Sequence, residues 1–110
     1  MPQITNYDLI SKLLEGTEKG RIKWQKTAVT DQFAAAFGGK WTVTVDKAIS
    51  KEGTIFFWVD LDNSDGKELL SVSSIDDERV PLLFEMARRQ ALNVNEALAD
   101  LFKEIDGPSS

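Results

Sequence analysis

With 110 residues, 42% of them hydrophobic and 28% charged, the chain has the size and balance of one globular domain with one core. It contains no Cys and no His, which removes disulfides, thiolate chemistry, the Ser-His-Asp and Cys-His nucleophile systems and the usual zinc ligands. The formal net charge of −5 argues against nucleic acid or anionic membranes as partners, because affinity for phosphate comes largely from cations, and favours a basic or neutral protein surface.

The first segment, "ITNYDLISKLLEG", predicts a helix. Thr5 and Asp8 have the spacing of a capping box, and Ile10, Leu13, Leu14 and Thr17 recur at helical intervals. Gly16 and Gly20 place its end between them or just beyond. The start of the chain lacks the basic residues and unbroken apolar stretch of a signal peptide, and no apolar run approaches the roughly 20 residues of a spanning helix. A cytoplasmic location without membrane attachment is the expectation.

"RIKWQKT" follows as an extended connector or short strand with Ile22 and Trp24 on one side. The basic residues Lys19, Arg21, Lys23 and Lys26 surround Trp24, a pattern that either stacks a nucleic-acid base or guards an edge strand with solvated charge. The overall acidity favours the edge strand.

From Asp31 the period changes to two. "QFAAAF" suits a strand, although its alanines suit a helix almost as well; "GG" at 38 and 39 predicts a tight hairpin, and "KWTVTVD" alternates cleanly. "TIFFWVDL" and "KELLSVSS" read as the next two antiparallel strands. "DLDNSDG", residues 60–66, fails as an EF-hand loop, since Asp65 holds the position that wants Gly and Ser71 the position that wants Glu. A hairpin turn fits better, and no metal or other cofactor is implied.

Helical spacing returns after "SIDDER", whose acids suit the positive end of a helix. "VPLLFEMARRQAL" aligns Leu83, Met86, Ala87 and Gln90, with Leu82 beside them and Pro81 in the first turn. Glu85 and Arg89 suit a surface pair, which leaves Arg88 without a partner on its helix. Asn93 and Glu96 predict a fresh cap for a last helix whose Val94, Leu98, Leu101 and Ile105 face one way. "DGPSS" terminates it.

The sum is an α+β domain over 1–106: an antiparallel meander of three to four strands packed against an N-terminal helix and two C-terminal helices, with 107–110 as a flexible tail. The core should join Trp41, Val43, Val45, Ile55, Phe57, Val59 and Leu61 to the helical stripes. Alternation then sends Phe56 and Trp58 to the other side of the sheet, with Leu69 beside them and Thr42, Thr44 and Ser71 around them. Such a patch is either a partner surface or a second small core closed by a helix or by the Trp24 connector.

Two readings of function follow. The first is a non-enzymatic protein-interaction module, with a second copy of the chain among its candidate partners, that binds through Phe56, Trp58 and Leu69. A small, acidic chain without catalytic groups also has the look of an immunity protein or an inhibitor of basic active sites. The second is a small-ligand or nucleotide-binding protein with a pocket between the sheet and the C-terminal helices and with Trp24 and Arg88 at its mouth. The segments "GTEKGRIKW" and "ARRQALNVNEAL" resemble short uncharacterised bacterial proteins that combine a glycine-bounded "IKW" segment with an "ARR.ALNV..AL" helix pair. That resemblance covers most of the chain and implies a bacterial cytoplasmic protein without assigning an activity.

Overall fold

Five antiparallel strands and three helices make up the computed structural model, which describes residues 3–107. The chain runs α1 (Asn6–Glu18), β1 (Gln25–Lys26), β2 (Gln32–Phe37), β3 (Trp41–Ile49), β4 (Ile55–Asn63), β5 (Glu68–Ser73), α2 (Val80–Ala91) and α3 (Val94–Ile105). Each strand pairs with the next, so sheet order follows chain order in an α+β fold. The short β1, laid against Ala34 and Phe33 of β2, brings the expected three or four strands to five. Residues 108–110 of the expected tail lie outside the described residues. No helix among those described is long and apolar enough to cross a membrane.

Local chemistry explains most boundaries. The Asp8 backbone N–H donates to Thr5 Oγ1 at 3.2 Å and the Thr5 N–H donates to Asp8 Oδ2 at 3.0 Å, which completes the capping box of α1. Hydrogen bonds from Thr5 hold the Asp8 carboxyl below its usual range. The helix runs through Gly16 because that residue makes room for Ile22: a Cβ there would lie 2.8 Å from Ile22 Cδ1. Gly38 and Gly39 both carry positive φ, 61° and 69°, and turn β2 into β3. Pro81 sits in the first turn of α2 as the sequence predicts.

The acids before α2 do not start that helix. Asp77 instead grips Arg79, accepting from its backbone N–H at 2.9 Å and from Nη2 at 2.7 Å, which holds the Asp77 carboxyl low. The Arg79 guanidinium then stacks 4.0 Å from the Tyr7 ring centroid and donates to Ser11 at 2.8 Å, so it fastens α1 to the start of α2.

The core lies between the odd face of the sheet and the helices α1 and α2. Val45, Val59 and Val72 form a cross-strand row that is buried to within 1%. Ile10 and Leu13 of α1, and Val80, Leu83, Phe84 and Ala87 of α2, close over it. Phe84, absent from the expected stripe, is the hub, with its ring 5.6 Å from Phe33 and 5.2 Å from Phe57. Trp24 is also core, at 3% exposure, and its indole N–H donates to Thr17 Oγ1 at 2.9 Å.

Three expectations about this core need correction. Trp41 and Ile55 are 45% and 49% exposed, because the two helices roof only the middle of the sheet and leave its ends open. No residue of α3 is buried, although its apolar stripe was expected to face the core. Asn93 does not cap α3 through its side chain; it takes the left-handed conformation, φ 53°, and breaks the chain away from α2.

Candidate functional site

The even face of the sheet carries no helix among the described residues, since Phe84 reaches Phe33 and Phe57 on the odd face and α1 joins the same core. β4 places Phe56, Trp58, Asp60 and Asp62 on that open side. Its neighbours supply small or polar partners: Ala48 stands opposite Phe56, Asp46 and Ser73 opposite Trp58, and Thr44 and Ser71 opposite Asp60. Phe56 and Trp58 are both half-buried.

Charge on this face has one sign. Among the described residues, Asp46, Asp60, Asp62 and Glu68 are its ionisable strand residues, and Glu68 stands directly opposite Asp62. Asp46 is 8% exposed, and burial raises its pKa even though Gln32 Nε2 donates to Oδ1 at 2.8 Å. Repulsion from Asp60 is the main cause that raises the Glu68 pKa. Asp60 Oδ1 is buried and accepts no hydrogen bond from any described residue. A carboxylate oxygen shut from solvent without a donor is costly, and a donor that arrives with a positive charge supplies the hydrogen bond and offsets the repulsion.

The sequence reading found part of this site. Phe56 and Trp58 share the even face as alternation predicts. Leu69 does not join them: a register shift between Leu61 and Asp62 bulges the pairing with β5, and Leu69 lines a groove on the helix side with Leu9, Leu13 and Leu61. Asp60 and Asp62 were assigned to a turn, yet β4 continues to Asn63 and the turn is only Ser64–Gly66. Asn63 Oδ1 accepts from the backbone N–H of Asp65 and of Lys67, both at 3.0 Å, which closes that turn. Among the described residues no group of three Asp or Glu is placed to hold a metal ion. The missed signal was parity: 46, 58, 60 and 62 share a face once the strands are extended past their most apolar segments.

The residues of the alternative pocket are not brought together. Trp24 is enclosed, and its backbone N–H donates to Gln90 Oε1 at 2.6 Å while Gln90 Nε2 donates to Ile22 O at 2.8 Å. Gln90 thus acts toward the connector as a strand neighbour would, and Trp24 has no free ring face for a base or ligand. Arg88 is not partnerless: it pairs with Glu85 at 3.1 Å, in place of the expected Glu85 and Arg89 pair, while Arg89 donates to Asn95 at 2.7 Å.

The chain matches no family model, and no curated protein or solved structure is significantly similar to it, in keeping with a resemblance that points to no named family.

Proposed function

We propose that the protein is a non-enzymatic interaction module whose open sheet face binds a basic protein surface. The single observation that carries this reading is Asp60 Oδ1, buried and without a donor, one alternation away from Trp58. An incoming Arg or Lys finds an aromatic surface for its stem and a carboxylate for its head in one place. Asp46, Asp62 and Glu68 extend the acidic field around that point. The same field disfavours face-to-face pairing of two copies, since like charges would meet. A module of this kind suits a cytoplasmic protein that masks a basic site on its partner.

Titration with tetra-arginine amide, followed by backbone and indole NMR shifts, tests the reading directly. Shifts centred on Trp58, Asp60 and Ser71, lost in Asp60→Asn and weakened by salt, support it. Absence of shifts, or shifts confined to the helices, refutes it. A protein captured from a lysate counts in favour only if it is basic and is lost on Trp58→Ser.

A further inference from the structure

α3 and the groove beside α1 are two apolar surfaces that lack partners among the described residues. Leu101, Phe102 and Ile105 of α3 are 50%, 56% and 68% exposed, and among the described residues the helix packs appreciably on α2 alone. The groove, about 440 Å³, is walled by Leu9 and Leu13 of α1 and by Trp41, Leu61 and Leu69 of the sheet, and no residue of α2 or α3 lines it. We infer that the chain forms a dimer by reciprocal exchange, with α3 of each copy seated in the groove of the other.

Charge selects this pairing over its rivals. Glu96, Asp100 and Glu104 recur every fourth residue along one flank of the apolar stripe, a like-charged row that weakens an isolated helix. Two α3 helices packed together would bring such rows close. Close in sequence to groove residues stand Lys12 on α1, Lys40 just before Trp41 and Lys67 two residues before Leu69; none is in an ion pair among the described residues, although Lys12 is near enough to Glu15 to favour its charged form. Glu68, which lies between Lys67 and Leu69 in sequence, pairs with Asp62 and feels the charge of Asp60, so it belongs to the open face of the sheet and not to the groove. The stripe therefore meets apolar walls while its acidic flank meets lysines.

Contact area explains the reciprocity. One 12-residue helix is about 18 Å long, so a single seating lies near the lower end of the interface range, roughly 1,200 Å² in total. Exchange in both directions doubles the contact and closes the assembly as a symmetric pair. Asn93, already in the left-handed conformation, directs α3 away from its own core. This inference uses neither Trp58 nor Asp60 and stands apart from the proposed function.

Sedimentation equilibrium of the full chain provides the test, with near-ultraviolet circular dichroism to verify folding. The wild type should have twice the 12.3-kDa chain mass, and Phe102→Glu and Leu69→Lys should each be monomeric. An equimolar mixture of the two variants should dimerise, because one intact helix then meets one intact groove and the altered pair has opposite charges. Leu101→Glu and Trp41→Lys serve if either first choice misfolds. A monomeric wild type overturns the inference, as does a mixture that stays monomeric or a dimer that Leu69→Lys leaves intact. Trp58→Ser should remain dimeric, which separates this result from any failure of the open face to bind a basic partner.

Discussion

The two faces of one sheet, built from alternate residues of the same strands, meet opposite fates. On β4, Val59 is 1% exposed beneath α1 and α2, while Trp58 beside it is only half-buried by its neighbours in the sheet. The roofed face is apolar and closely packed; the open face mixes two aromatics with four carboxylates and a row of hydroxyls. Hydrophobicity alone therefore does not decide which face is core. What decides is where the helices have apolar stripes to set against the sheet, and α1 and α2 set theirs on the odd side.

The largest break of this asymmetry should come from under the roof. Leu83→Ala removes a side chain with 0% exposure and should cost about 2–5 kcal/mol in denaturant unfolding, because the neighbours cannot fully collapse into the cavity. Gln90→Ala should cost about 1–3 kcal/mol, since the Trp24 N–H and the Ile22 carbonyl lose their partner. Trp58→Ser on the open face should cost less than about 1 kcal/mol, within the span of single-site strand effects, yet abolish the tetra-arginine shifts. A loss as large as that of Leu83→Ala would mean the open face is a second core.

The smallest effect concerns protons. The Asp46 pKa is raised above its ordinary 3.8, chiefly by burial. The folded state thus holds this proton more tightly than the unfolded chain, so Asp46 contributes stability below pH 3.8 that is lost as pH rises through the raised value. Asp46→Asn escapes that loss, and its melting temperature relative to wild type should climb between acid and neutral pH. Asp8 and Asp77, whose values are lowered, act with the opposite sign: their contribution is present above pH 3.8 and fades as pH falls through their folded values. A flat difference between Asp46→Asn and wild type across this range would show that Asp46 is not desolvated.

Much of the fold was legible. The Thr5 and Asp8 box, the paired glycines at 38 and 39, and the alternation around Val43 and Val45 each carry their own local physics, and each lies where the sequence places it. The candidate site was legible only in part. Phe56 and Trp58 follow from parity, whereas Leu69 crossed to the helix side because one bulge shifts the register of β5, and no local propensity announces it. Trp24 looked like a surface aromatic among lysines, but its burial depends on Thr17 and Gln90, the latter 66 residues away.

Period and turn chemistry are properties of neighbouring residues, so the sequence by itself determined the helices, the meander and the division of each strand into two sides. Which side would be roofed, how far the roof would extend over Trp41, and that α3 would stand clear of the core depend on contacts between distant segments. Those contacts are settled only when the whole chain competes for the same apolar area, and that competition left an acidic aromatic face and an apolar helix without cover among the described residues.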